Sequence, residues 1–378
     1  MTDFAVIGGG LVGAATAWAL ATTGREVALF ERYAPGHTHG ASHGASRIFR
    51  HTYLEADYVR LAAAAFAGWR ELESQSGSQV LTITGGITHG TTNFADYRAA
   101  LGAQGIRTEV LSAAEAAERW PGLRFTTDVL LEPDTAGRGN ADAAVAAFHQ
   151  VAAGYGAAVH HNTKVESLEL RPTTAGGGVL IHTAGQTFQA RHVVVAGGAW
   201  SSSLLRQVVP ELLGQVPLRV TQEQPAHFQL RAGAPAEDSW PSFVHQFEPS
   251  DRFPSGVYGM ATPGEGIKAG FHAVGPEVAD PDNRPALNGK QLQQLQDYVA
   301  TWIPGVDPQQ FEAISCTYTL TPSENFLLRR RGPITVGAGF SGHGFKFGPA
   351  LGRLLAQVAS AESEETGNRL LPPIFQGP

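Results

Sequence analysis

The hydrophobic pattern opens with Phe4-Ala5-Val6-Ile7, a short apolar run that predicts a buried strand. Glycines interrupt it, and the Ala-rich stretch 11–21 then predicts a helix. A second apolar run, Glu26-Val27-Ala28-Leu29-Phe30, ends in the acid Glu31. Residues 33–56 show no periodicity and are rich in Gly, Ser and His, and a long irregular loop inside a compact domain is usually functional. Residues 58–73 return to helical spacing, with Leu61, Ala65, Phe66 and Trp69 on one face.

Further on, residues 81–88 predict a pair of strands, and residues 93–120 a helix, a strand and a helix. An Ala-rich helix follows over 140–155, with Asn140 as its cap. Strands are expected at 163–170 and 187–196, the second running into Gly197-Gly198 and a helix from about Ser201. Residues 216–316 read as mixed, largely antiparallel strands with one helix over 288–302. The strand 334–338 then passes through a glycine-rich turn into a helix over 349–361. The triplet Arg329-Arg330-Arg331 reads as a solvated loop.

Three glycine-rich strand-to-helix turns therefore punctuate the chain, near residues 8, 197 and 339. The first, Gly8-Gly9-Gly10-Leu11-Val12-Gly13, has the strand-turn-helix context of a dinucleotide site. Gly8 permits the tight turn, Gly10 lets a pyrophosphate approach the backbone, and Gly13 lets helix and strand pack closely. The helix N-terminus offers free amides to that pyrophosphate. Glu31 stands where an acid grips a ribose hydroxyl, which disfavours a 2′-phosphate and hence NADP. Turns spread over the whole length point to one nucleotide domain built from discontinuous pieces, which suits a large flavin better than a nicotinamide.

Bulk properties narrow the class. A chain of 378 residues exceeds most single cores, so two domains are expected. A net charge of -7 argues against nucleic acid and anionic membranes as partners. No apolar run reaches the length that spans a bilayer, and Met1-Thr2-Asp3 lacks a basic signal-peptide start. One cysteine cannot form an internal disulfide, which fits a reducing cytoplasm. His37, His39, His43 and His51 have no accompanying cysteine or carboxylate cluster, so no metal is expected.

Taken together, several stretches resemble the monomeric sarcosine oxidase and N-methyltryptophan oxidase family, within the D-amino-acid-oxidase-like flavoproteins. The likeness rests on the first glycine motif with Glu31, on Ser42-His43-Gly44 with Arg47 and Arg50-His51, and on Arg119-Trp120-Pro121-Gly122. It continues through Gly198-Ala199-Trp200, Gly266-Ile267-Lys268-Ala269-Gly270-Phe271-His272 and Cys316-Thr317-Tyr318. Its most specific stretch is Gly337 through Phe347, which contains Gly342, His343, Gly344 and Lys346.

The resemblance implies an α/β fold: a Rossmann-type FAD domain from segments 1–84, 141–216 and 317–378. A substrate domain with a mainly antiparallel sheet is then expected from 85–140 and 217–316. It implies oxidation of a secondary amino acid by FAD and dioxygen, giving an imine and hydrogen peroxide, in a monomer. Gly8, Gly10, Leu11, Gly13, Glu31, Ser42, His43, Arg47, Val165, Cys316, Gly342, Gly344 and Lys346 then fall at cofactor positions, with Cys316 as the covalent attachment point.

Arg50 and Lys346 fall where relatives hold the substrate carboxylate, a sensible use of a guanidinium fork and an ammonium. Arg47 and His43 fall where relatives place cations near the flavin; Ala45 replaces the family's usual acid, so hydrogen bonding around Arg47 must differ. Lys268 matches the lysine against which dioxygen reacts, and Tyr258, His272 and Tyr318 match pocket positions. Val244 replaces a larger apolar residue and the loop 248–256 is longer, both of which enlarge the pocket. A cyclic or bulkier N-alkyl amino acid, such as pipecolate or proline, stands beside sarcosine as substrate. A flavin dehydrogenase using another acceptor, and a non-catalytic nucleotide-binding protein, are the competing readings.

Overall fold

The computed structural model describes residues 1–377 except 173 and 175. The first apolar run is the strand Thr2–Ile7, flanked in parallel by Val27–Phe30 on one side and Gln186–Val195 on the other. Ile334–Ala338 adds a further parallel strand against Gln186–Val195, and Ala158–His160 extends the other edge. Two antiparallel strands, Val165–Leu170 and Val179–Thr183, lead into Gln186–Val195 and complete an eight-stranded sheet with Leu327–Arg331. Parallel strands from the two ends of the chain, Thr2–Ile7 and Ile334–Ala338, therefore flank Gln186–Val195 in one sheet, and each of the three runs into one of the glycine turns.

The helix Leu11–Ala21 is buried along its whole length, which explains an Ala-rich sequence without an amphipathic stripe. One face of the sheet and its helices share a core in which Trp18 and Trp69 both pack on Phe148, ring centroids 5.3 and 5.6 Å apart. Each such aromatic pair adds about 0.5–1.5 kcal/mol beyond simple burial.

A second eight-stranded sheet carries the mixed strands of the middle segment, in the order Val306–Ala313, Ala226–Leu230, Gly266–Phe271, Val257–Thr262, Ser242–His245, Gly86–His89, Val129–Glu132 and Glu109–Leu111. Only the Ser242–His245 and Gly86–His89 pair is parallel. The helix Gly289–Trp302, capped by the Asn288 side chain, packs on this sheet through Leu295, Tyr298 and Val299. A small three-stranded sheet, Arg47–Phe49, Gly137–Gly139 and Leu81–Ile83, contributes Arg47 to the site. The pair Arg219–Glu223 and Cys316–Leu320 contributes Cys316 and Tyr318.

Two readings of the sequence need correction. The loop 33–56 contains the strand Arg47–Phe49. The arginine triplet is no solvated loop: it ends the strand Leu327–Arg331, and Arg330 is 5% exposed. The Arg330 guanidinium donates to the carbonyls of Val358, Ala361 and Gly332. It thereby satisfies the free carbonyls at the end of the helix Gly348–Ser360, where a cation also suits the helix dipole.

Candidate active site

The first glycine turn forms one wall of a cavity of about 1030 Å³. Gly8 sits at φ +103°, and a side chain there would lie 2.5 Å from the Ala196 carbonyl oxygen, so this turn requires glycine. Gly10 and Leu11 line the cavity beside Ser42, whose Oγ accepts from the Leu11 amide at 3.1 Å. The cap residue Gly10 has no side chain and the first turn carries no acid, so beyond the Ser42 contact that helix end is open to an anion. Gly13 serves packing instead: a side chain there would lie 1.8 Å from the Gly8 carbonyl oxygen.

Glu31 lies in the same wall. Its carboxylate accepts from the amides of Gly9 at 2.7 Å and Tyr33 at 2.9 Å, and His37 approaches it at 3.5 Å. Val165, Gly197 and Gly198 also line this cavity.

A second cavity of about 490 Å³ adjoins it and shares Leu11, Ser42, Gly198, Ala199 and Phe340 with it. Into this smaller space come Arg47, Arg50, Tyr258, Lys268, His272, Cys316, Tyr318, Gly342, Gly344 and Lys346, drawn from five separate segments. The pair of connected cavities fits a dinucleotide with a ring system at one end. Ser42 and the glycine turn would hold its pyrophosphate, Glu31 its ribose and Val165 its adenine end.

Four basic side chains, Arg47, Arg50, Lys268 and Lys346, line the small cavity. The chain has only four lysines, and two of them, Lys268 and Lys346, are buried here at 4% and 5% exposure. Burial pushes the Lys268 ammonium down to about 7, with Arg47 adding to the effect. Burial and then Arg50 hold Lys346 well below the ordinary lysine value. Lys346 Nζ donates to the Tyr53 hydroxyl at 3.0 Å and to the His343 carbonyl at 2.8 Å. The Arg50 guanidinium stacks 4.9 Å from the Tyr53 ring centre and donates to the Thr52 carbonyl. Neither cation has a carboxylate partner among the described residues, so the pair is built for an anion from outside.

Tyr53 and His343 escaped the sequence reading. The Tyr53 hydroxyl lies 3.2 Å from His343 Nδ1, and His343 Nε2 lies 3.1 Å from the Glu324 carbonyl oxygen. With Nε2–H donating to that carbonyl, Nδ1 is left to accept from Tyr53, whose oxygen in turn accepts from Lys346. Behind this chain, the Glu132 carboxylate accepts from the His51 amide at 2.9 Å, from His51 Nδ1 at 2.6 Å and from Thr52 Oγ1 at 3.3 Å. Burial alone would raise the Glu132 carboxyl; bonds from His51 and Thr135 outweigh it and hold it low. This buried anchor fixes the segment that carries Arg50 and Tyr53. The nearest sequence signal is the compact run Arg50-His51-Thr52-Tyr53 itself.

Arg47 finds carbonyls where the family's acid is missing: it donates to Ser46 at 2.8 Å and Ala41 at 2.9 Å. His43 differs from expectation. It is buried, and burial followed by Arg47 and Lys268 pushes it down to about 4, so it is a neutral ring rather than a cation. His272 is likewise pushed down to about 4 by burial, Lys346 and Arg50. The Tyr318 ring packs against Gly342, where a side chain would fall 2.0 Å from it. Val244, Gln246, Ser255 and Gly256 also line this cavity. Among the described residues no group of three or more His, Cys, Asp or Glu side chains is arranged to hold a metal ion. No helix among them is long and apolar enough to cross a membrane.

Comparison with known proteins agrees with this geometry. Residues 3–358 match the model of the DAO family, the FAD-dependent oxidoreductases. The chain is 32% identical to monomeric sarcosine oxidase of Streptomyces avermitilis, covering 94% of this chain and 93% of the relative. It is 29% identical to monomeric sarcosine oxidase of Bacillus sp. (strain NS-129), covering 96% and 94%. The open form of NikD, an unusual amino acid oxidase essential for nikkomycin biosynthesis, superposes with a TM-score of 0.81 at 26% identity, covering 98% of this chain and 97% of NikD. The chain therefore belongs to the DAO family of FAD-dependent oxidoreductases and is a sarcosine oxidase-like, FAD-dependent amine oxidase.

Proposed function

We propose that this protein oxidises small secondary amino acids, of the sarcosine type, and passes the electrons to dioxygen with release of hydrogen peroxide. The observation that carries the reading is the unpartnered cation pair Arg50 and Lys346 at one end of the cavity, with Lys268 at another point of its wall. FAD, when bound, supplies the ring that takes a hydride from the carbon next to nitrogen. Arg50 and Lys346 bind the substrate carboxylate and so orient the amine; Tyr53, His343 and Glu132 keep that clamp in place. Tyr258, Tyr318 and His272 shape the space around the amine and restrict water. Lys268 presents a positive charge to dioxygen.

We assign Cys316 as the covalent attachment point for the cofactor. It is 8% exposed yet lines the cavity, on the same strand as Tyr318. Acid-precipitated protein is expected to stay yellow, and Cys316→Ala to release its flavin into the supernatant. Unmodified Cys316 in the intact mass of active, yellow protein would refute the assignment.

A second reading concerns substrate size. Val244 and the loop residues Ser255 and Gly256 border the cavity, which supports a bulkier or cyclic amino acid such as pipecolate or proline. Val244→Met should then raise the kcat/KM ratio of sarcosine over pipecolate. An unchanged ratio removes Val244 as a determinant of size. The panel of N-methyl and cyclic amino acids assayed for peroxide release tests both readings at once.

A further inference from the structure

His227 is a histidine that the chemistry above does not use. It lies on the strand Ala226–Leu230, directly across the antiparallel pair from Lys268. Residues paired in this way share one face of the sheet, with Cβ atoms about 4.5–5.5 Å apart. His227 is 5% exposed, and its Nδ1 lies 2.6 Å from Oε2 of Glu265, whose side chain is half open to solvent. The other ring nitrogen, Nε2, is buried and has no hydrogen-bond partner among the described residues.

The chemistry of the two nitrogens fixes their roles. A carboxylate accepts only, so the tautomer with its proton on Nδ1 is the one that suits the nearby Glu265 carboxylate. Burial, with Lys268 and Arg47 adding to it, pushes the ring down to about 4, so Nε2 stays bare. A buried bare acceptor is costly unless a donor meets it. The donor on the same face is the Lys268 ammonium, which has no ion-pair partner among the described residues. Glu312, paired with His227 from the opposite strand, is exposed, and Arg47 is a donor already committed to two carbonyls.

We propose that Glu265 and His227 act in series as positioning residues for Lys268: Glu265 favours the Nδ1–H tautomer, and His227 Nε2, unpartnered in this structure, accepts a hydrogen bond from the Lys268 ammonium when that side chain turns toward it across the strand pair. The pair aims the charge and favours its protonated form. The inference rests on the proposed role of Lys268, and its test separates the two.

With only four lysines, nitrogen-15 lysine labelling gives four side-chain ammonium signals, and Lys268→Met assigns the one of interest. The groups acting on that signal besides His227 are Arg47, Cys316, Glu265 and Asp142. In the oxidised holoenzyme, His227→Phe should move the Lys268 titration midpoint down by about one unit, because the acceptor for its charged form is lost. His227→Gln, whose amide oxygen accepts, should restore most of it. Glu265→Ala should shift the midpoint the same way as His227→Phe, and Glu265→Gln, which keeps an acceptor for Nδ1–H, should shift it less. The alkaline fall in the rate of reoxidation by dioxygen should move with the midpoint, while anaerobic reduction by sarcosine does not. A Lys268 midpoint unmoved by His227→Phe would overturn the proposal even if Lys268→Met abolishes reoxidation. If the midpoint moves but Lys268→Met leaves reoxidation intact, the contact stands and the role given to Lys268 falls.

Discussion

Lys268→Met slows reoxidation of the reduced enzyme by dioxygen by about 10²–10³-fold, the usual worth of one well-placed electrostatic contact in an enclosed site. Anaerobic reduction by substrate changes much less. The argument begins with burial: Lys268 is 4% exposed on the strand Gly266–Phe271, and it lines the cavity together with Cys316. Dioxygen gains negative charge as it takes its first electron, and a fixed cation lowers the energy of that state without moving. Methionine keeps the volume and removes the charge. The same logic sets a pH profile. Burial pushes Lys268 down to about 7, so it is an ammonium below that value and a neutral amine above it. The rate of reoxidation should therefore fall as the pH rises through about 7. If reduction collapses and reoxidation is untouched, Lys268 serves the substrate instead.

Arg50→Met and Lys346→Met should each weaken binding of the amino-acid substrate by about 2–5 kcal/mol, or roughly 30-fold to several thousand-fold. Two like charges held together away from water oppose each other, and an incoming carboxylate relieves both. Amines that lack the carboxylate gain nothing from the clamp and should lose far less. Burial and Arg50 hold Lys346 well below its ordinary value, so its ammonium gives up its proton more readily in the free enzyme, and a bound carboxylate favours the charged form. Binding should thus take up a proton, and KM should rise with pH. Equal losses for acid and non-acid substrates would show that Arg50 and Lys346 do not form the clamp.

Much of this site could be read from the sequence because its signals are local. The Gly8 turn, Glu31 and the helix cap Asn140 each act within one turn or one strand, so residue type and spacing suffice. Lys268 and Lys346 were legible only through the family likeness, since an isolated lysine between small or aromatic residues has no signature of its own. The relay from Lys346 through Tyr53 to His343 joins positions about 290 residues apart, and no periodicity reports such a contact. His43 and Arg330 failed for a common reason. Their environment comes from elsewhere in the chain: burial beside Arg47 and Lys268 strips the charge from His43, and distant carbonyls draw Arg330 into the interior. His227 and Glu265, 38 residues apart in sequence, meet only because two strands pair in one register.

The central claim is that one cavity both oxidises a carboxylate-bearing secondary amine and delivers its electrons to dioxygen. Its most direct test mixes the holoenzyme anaerobically with sarcosine, and in parallel with pipecolate and proline, and then admits oxygen. The account predicts that at least one of these bleaches the flavin fully, and that oxygen restores the colour with one peroxide formed per substrate consumed. Bleaching followed by slow recovery without peroxide, or no bleaching by any secondary amino acid, would contradict it.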